Sequence, residues 1–144
     1  MKTTIKEIVN TYKVLGEAKV TKLEESEVTK ILKIRKAMRK IAEDFEAFLK
    51  DCQEKFKPEN WDEIQQKIQQ WQQEGDKTTL TDEEKKEVNE VVIDYQRKID
   101  ATIKDEYARE VEIEIEVLNI ESQTKLLQEN NWQIKDLDII SIIF

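Results

Sequence analysis

The sequence contains no histidine, and it has only one cysteine, one proline and two glycines among its 144 residues. Without histidine, the chain cannot form Ser-His or Cys-His nucleophilic pairs, histidine acid–base systems or histidine-containing metal sites. Two glycines are too few for a loop that cradles a phosphate. We therefore expect no enzymatic activity, no cofactor, no metal and no small-molecule ligand. A hydrolase built only from carboxylates leaves no sequence signature and stays an alternative.

The single cysteine, Cys52, cannot form a disulfide within the chain. It occupies an apolar helical position, which favours a buried side chain over a reactive thiol. A lone free cysteine without a secretory segment agrees with a reducing compartment. No apolar run approaches the ~18 residues that a membrane span requires. We expect a cytoplasmic protein that does not enter a membrane.

Charge is abundant but unevenly placed. Charged residues make up 39% of the chain and the net charge is −8. Residues 105–138 hold ten acidic residues against three basic ones, whereas residues 30–40 hold six basic residues and no acid. The overall acidity does not favour nucleic-acid binding, but the basic stretch leaves a nucleic-acid-associated regulator as an alternative. The candidate basic patch consists of Lys30, Lys33, Lys36, Arg39 and Lys40. We expect it to contact an acidic patch, either on this chain or on a partner.

Two long apolar stripes predict the main architecture. The scarcity of proline and glycine favours long helices. Apolar residues at steps of three or four predict a helix over residues 27–56 and a second one over 82–109, which begins after a Thr81 capping box. Each stripe needs a partner of similar length, so we expect a coiled-coil-like, long antiparallel helical hairpin. The stripes are Val28, Ile31, Ile34, Met38, Ile41, Phe45, Phe48, Cys52 and Phe56, and Val88, Val92, Tyr95, Ile99, Ile103 and Tyr107.

Shorter elements complete a mainly α, single helical domain over residues 1–144. Helical spacing predicts helices over 4–15, 61–74 and 135–143. At Val111 the apolar period changes to two, which predicts a strand over 111–117 with a row of glutamates on its other face. We expect its partner in a small two-stranded β element to be residues 19–23, whose lysines would oppose the glutamates.

The glutamate row allows two interpretations. Glu112, Glu114 and Glu116 could bind a divalent cation, because carboxylates are hard ligands. Alternate strand positions lie ~6.8 Å apart, however, which is too far for three carboxylates to converge on one ion. A solvated strand face that resists aggregation is the favoured interpretation.

Tryptophan-bearing segments are the candidate interaction surfaces. Glutamines surround Trp61 and Trp71 in the helix over 61–74, which is either a recognition face or a helix that packs on the hairpin. The apolar C-terminal segment must dock on the bundle or on another chain. Because Leu32, Leu49, Val91 and Ile93 fall beside the main stripes, we expect a homo-oligomer, most simply a dimer. The candidate interaction residues are Trp61, Gln65, Gln69, Trp71, Trp132, Ile139, Ile143 and Phe144.

The order of these elements resembles a group of small phage and prophage proteins of unknown function. The shared features are a short opening helix, an extended segment at residues 20–23 before a long charged helix, the acidic strand over 111–117, and a closing helix that begins at Lys135. The glutamine-rich helix departs from that pattern. The resemblance implies a non-enzymatic phage assembly or accessory protein, either free in the bacterial host interior or incorporated in a phage particle. It implies no catalytic residues.

Overall fold

A computed structural model describes all 144 residues, and 76% of them are helical. The fold contains a long helix pair, shorter helices and a small two-stranded antiparallel sheet, which confirms the predicted fold class. The helices are α1 (Ile5–Glu17), α2 (Glu25–Phe56), α3 (Trp61–Glu74), α4 (Asp82–Ala108), α5 (Ile120–Asn130) and α6 (Ile134–Ile139), the strands are β1 (Lys2–Thr4) and β2 (Glu110–Glu112), and single 3₁₀ turns cover Gly75–Lys77 and Ser141–Ile143.

The chain divides into two compact units. The sheet unit consists of residues 1–47 and 105–144, and the hairpin unit consists of residues 48–104. The sheet unit contains both strands, α1, α5, α6 and the first part of α2. The hairpin unit contains the rest of α2, α3 and most of α4. Two continuous helices therefore supply residues to both units.

The sheet unit has a hydrophobic core that draws on nearly all of its elements. The predicted α2 stripe supplies Ile31, Ile34 and Met38, of which Met38 is fully buried. Phe45 stacks on Tyr107, with ring centroids 4.7 Å apart and planes inclined by 18°. Burial on this scale stabilises the unit by roughly 1.5–3 kcal/mol for each large side chain. The other buried members of the core are Ile8, Leu15, Ile113, Leu118, Leu126, Ile140 and Ile143.

Two contacts of tryptophan rings join α3 to α4 in the hairpin unit. Trp61 of α3 lies against Tyr95 of α4 with a centroid distance of 4.5 Å, and the Tyr95 hydroxyl donates a hydrogen bond to the Gln53 carbonyl oxygen at 3.0 Å. The Lys85 ammonium lies 5.6 Å from the centroid of the Trp71 ring. The buried apolar residues are few and come from all three helices and one loop: Cys52, Ile64, Leu80, Val88 and Ile99.

Local hydrogen bonds explain where the helices begin and end. The predicted capping box is present at α4, where the Thr81 hydroxyl accepts from the Glu84 N–H at 3.1 Å and the Glu84 carboxylate accepts from the Thr81 N–H at 3.3 Å. A second capping box joins Thr4 and Glu7 at α1. Gly75 follows α3 with φ +58°, a conformation that favours glycine.

The predicted strand pairing is wrong. β2 covers only Glu110–Glu112, and its antiparallel partner is β1, with Lys2 opposite Glu112 and Thr4 opposite Glu110. Residues 19–23 form no strand, because side chains of α5 satisfy their backbone groups instead. The Glu129 carboxylate accepts the N–H groups of Thr21 and Lys22, each at 3.1 Å. The Asn130 side chain bonds both backbone groups of Lys19.

The C-terminal region also differs from the prediction. The helix predicted over 135–143 ends at Ile139, and a 3₁₀ turn follows at Ser141–Ile143. In this turn the Ile143 carbonyl accepts the Leu118 N–H at 2.7 Å, which ties the end of the chain to the segment after β2. α5 was not among the predicted helices; it begins after an Asn119 cap and ends at Asn130, and the next residue, Asn131, has φ 54°.

Candidate protein-interaction site

Residues 109–116 run beside α2 in the opposite direction. A cleft of about 270 Å³ brings Lys40 and Asp44 of α2 together with Arg109 and Val111. A second cleft, of about 480 Å³, is named the α2 cleft and is lined by Lys30, Lys33 and Ile34 of α2 and by Glu114, Ile115 and Glu116. From Lys30 to Phe45, which spans both clefts, fifteen steps along α2 rise ~22 Å, and the seven steps of extended chain from Arg109 to Glu116 span ~23 Å. The two segments therefore match in length.

The segment after β2 keeps an alternating pattern of burial. Ile113 is buried and Ile115 half-buried, whereas Glu112, Glu114 and Glu116 are exposed. This period of two is typical of an extended chain with one face on a core. The predicted glutamate face is therefore present, although β2 itself ends at Glu112 and the last hydrogen-bonded pair between the two strands is Met1–Ile113.

The predicted basic and acidic patches meet at the α2 cleft. The Lys30 ammonium lies 3.4 Å from the Glu116 carboxylate and 3.5 Å from that of Glu27. The hydrogen bond to Glu116, followed by the negative charge of Glu27, raises the pKa of Lys30. A hydrogen bond from the Ser122 hydroxyl, with a smaller contribution from Lys30, lowers the pKa of Glu27. The Glu27 carboxylate and the Lys30 ammonium are thus held in their charged forms.

The other basic residues of the stretch 30–40 divide into two kinds. Lys33, Lys36, Arg39 and Lys40 are exposed, and none of them takes part in an ion pair of the chain. Arg35 instead lies over the Tyr12 ring, with its guanidinium carbon 4.3 Å from the ring centroid. It sits at the C-terminal end of α1, whose last turn has no basic residue of its own, so it provides favourable charge at that helix end.

The backbone of residues 114–117 makes no hydrogen bond within the chain. On one side of this stretch, Ile113 exchanges two hydrogen bonds of 3.0 Å with Met1. On the other side, the Leu118 N–H is bonded to Ile143. An extended stretch with free N–H and C=O groups is a template for pairing with another chain.

Most residues predicted to form an interaction surface are partly or fully buried by contacts within the chain. Trp61 and Trp71 are half-buried and make the ring contacts described above. Gln65 is half-buried and Gln69 is exposed. In the sheet unit, Ile143 is fully buried, Trp132 and Phe144 pack against the core, and Ile139 is 38% exposed.

One helix face of the hairpin unit is open. A shallow groove of about 490 Å³ runs along α4, and Ile93 within it is 55% exposed. All of its lining residues come from this one helix, so no other element covers the face. These residues are Ile93, Gln96, Arg97, Asp100, Ala101 and Lys104.

The structure contains no group of three His, Cys, Asp or Glu side chains placed to hold a metal ion. None of its helices has both the length and the apolar character of a membrane-spanning helix.

Comparison of the chain with family models, curated proteins and solved structures finds no match.

Proposed function

We propose that this chain is a non-enzymatic protein-interaction protein that binds a partner along the segment following β2. The observation that carries the proposal is the row of unpaired backbone groups at residues 114–117, which lie beside the α2 cleft. Backbone groups of this kind supply affinity for an incoming chain, and neighbouring side chains supply specificity. In line with the phage and prophage resemblance, the proposed role is assembly or accessory, in the bacterial interior or in a phage particle.

Selection of binders from a displayed random-peptide library tests this function. Bound peptides are expected to slow amide hydrogen exchange at residues 110–117. Glu114→Pro should abolish this binding, since it removes one N–H that no internal hydrogen bond uses. Glu114→Gln is the matched control that keeps the N–H. Binders that protect only the hairpin unit, or that bind Glu114→Pro equally well, would contradict the proposal.

Self-association along the α4 groove is the second part of the proposal. If two copies of α4 pair antiparallel about a two-fold axis between residues 98 and 99, Arg97 of each copy opposes Asp100 of the other. Opposite charges in such a self-complementary arrangement favour a symmetric dimer. The covered area would be small, so the dimer is expected to be weak.

Light scattering coupled to size exclusion measures this association. The wild type should exceed the 17.2 kDa mass of one chain at high concentration. Ile93→Glu should restore the single-chain mass, and the matched control Leu32→Glu, at an exposed leucine of the sheet unit, should not. A wild-type mass near 17.2 kDa at ~100 μM would exclude the dimer.

A nucleic-acid-associated regulator is a second candidate because Lys33, Lys36, Arg39 and Lys40 are exposed and without ion pairs. Titration with duplex and single-stranded DNA at several salt concentrations distinguishes it, since phosphate contacts release counterions. The interaction proposal expects no binding at physiological salt. Micromolar binding that is lost in the triple variant Lys33→Glu, Lys36→Glu, Lys40→Glu would favour the regulator.

A further inference from the structure

The hydrogen bonds between β1 and β2 determine which backbone groups point outward. In an antiparallel pair, every second residue directs both of its backbone groups at the partner strand. Ile113 is bonded to Met1, and the Arg109 carbonyl accepts the Ile5 N–H. The odd-numbered residues 109, 111 and 113 therefore face β1. The backbone groups of the even-numbered residues face the opposite edge, which we name the β2 edge.

Every residue that presents its backbone on the β2 edge is a glutamate. These residues are Glu110, Glu112, Glu114 and Glu116, and all four are exposed. They span about 20 Å if the extended form continues beyond β2. Glu110 and Glu112 make ion pairs of 3.4 Å with the Lys2 and Met1 ammonium groups, and both carboxylates stay largely exposed, whereas Glu114 makes no ion pair. The edge therefore offers hydrogen bonds and accessible carboxylates at the same positions, with the free negative charge centred on Glu114.

This geometry sets the side chains that a partner strand needs. In an antiparallel pair, residues directly opposite each other project their side chains from the same face. Basic side chains are therefore favoured at the partner positions opposite the glutamates. The residues between them would lie on the face of Ile113 and Ile115, which is partly buried, and would be favoured if apolar.

A second copy of the same edge is a poor partner. Pairing two β2 edges places glutamates opposite glutamates, which is destabilising. The residues around the edge also repel a second copy, because residues 105–138 contain ten acids and three bases. Lys30 does not prevent a basic residue from approaching Glu116, because it lies 3.5 Å from Glu27 and can remain paired there.

From this juxtaposition we propose that the β2 edge binds an extended segment of another protein in which basic and apolar residues alternate. The segment adds as an antiparallel strand, with its basic side chains beside Glu112, Glu114 and Glu116. This inference rests on the proposed interaction function, and it specifies the chemistry of the partner.

Fluorescence anisotropy with labelled, end-capped peptides tests the partner's chemistry. Lys-Val-Lys-Val-Lys should bind the full-length protein, whereas Glu-Val-Glu-Val-Glu should not. Lys-Lys-Val-Val-Lys has the same composition without alternation and should bind about tenfold more weakly. Glu114→Pro should weaken binding of the alternating peptide by about tenfold or more, and Glu114→Gln by less, because only the charge is lost. Circular dichroism verifies that both variants are folded.

Three results would overturn the inference: equal binding of the two basic peptides, preference for the acidic peptide, or binding that Glu114→Pro leaves unchanged. The function proposed above has a separate outcome. If library-selected peptides protect residues 110–117 but the alternating basic peptide does not bind, the partner's chemistry is wrong and the interaction function stands. If no peptide protects these residues, both fail.

Discussion

The two units of this chain are stabilised in different ways. The sheet unit has a ten-residue buried core assembled from chain segments that are distant in sequence, including α1, α2 and the C-terminal turn. The hairpin unit relies on a few buried residues, on the half-buried Trp61–Tyr95 pair and on the contact of the Lys85 ammonium with the Trp71 ring. A fold with long-range contacts can hold an exposed extended segment in place. Helices joined by short connections present only helix faces.

The two units also differ in which of their ionisable groups have a shifted pKa. Three carboxylates have a lowered pKa because hydroxyl groups donate hydrogen bonds to them: Glu7 with Thr3, Glu27 with Ser122 and Glu129 with Thr21. All three lie in the sheet unit. In the hairpin unit, burial raises the pKa of Tyr95. We therefore expect the sheet unit to lose stability first as pH falls.

The largest expected loss of stability comes from creating a cavity in the core of the sheet unit. Met38 is 0% exposed, and Met38→Ala should destabilise the protein by about 3 kcal/mol through lost burial and a residual cavity. Leu32→Ala, one to two turns away at 62% exposure, should change stability by less than about 0.5 kcal/mol. Urea unfolding measures both values.

Hydrogen exchange of Met38→Ala tests whether the two units unfold separately. Amides of α5 should lose protection more than those of α3, because α5 belongs to the unit that contains Met38. Equal loss in both helices would mean that the units unfold together and that the division is only geometric.

The next effect is acid unfolding of the sheet unit. A carboxyl group whose pKa is lowered by folding stabilises the native state above its unfolded value, near 4.5, and this stabilisation is lost as pH falls through the lowered value. Fluorescence separates the units, because Trp132 lies in the sheet unit and Trp61 and Trp71 lie in the hairpin unit. In single-tryptophan variants, Trp132 should change at a higher pH than the other two.

Glu129→Gln provides the control for this acid effect. Glu129 accepts hydrogen bonds from Thr21 and Lys22, so its replacement should lower stability at pH 7 and leave less stability to lose on acidification. Its effect should be smaller than that of Met38→Ala. An unchanged acid transition in Glu129→Gln would show that this carboxylate does not contribute.

The smallest expected effect lies in the hairpin unit. Tyr95→Phe removes the hydrogen bond to the Gln53 carbonyl and should cost about 1 kcal/mol, with the ring contact to Trp61 retained. Thermal unfolding followed by circular dichroism measures the change. A loss as large as that of Met38→Ala would mean that the hairpin unit depends on this bond far more than its geometry indicates.

Local signals explain which elements the sequence could predict. The α3 bounds agree with the predicted 61–74, since helical spacing and a terminal glycine mark both ends. The α4 start was predictable from the Thr81 capping box. By contrast, α5 begins with Ile120, which is 80% exposed and obscures the apolar pattern. Its Asn119 cap was the available signal.

The errors concern contacts between residues far apart in sequence. β1 is three residues long, too short for a periodic pattern. Residues 19–23 depend on Glu129 and Asn130, more than one hundred positions away. The same limit applies to the candidate site: alternation predicted the glutamate face, but the direction of its backbone groups follows from the Met1–Ile113 pairing, which no local pattern encodes.

Amide hydrogen exchange of the unbound protein, resolved by NMR, tests the free β2 edge most directly. The N–H groups of Ile113 and Leu118 are hydrogen-bonded and should exchange slowly. Those of Glu114 and Glu116 should exchange near the rate of an unstructured chain. Strong protection at Glu114 and Glu116 would contradict the account, because the edge offered to a partner would then already be paired.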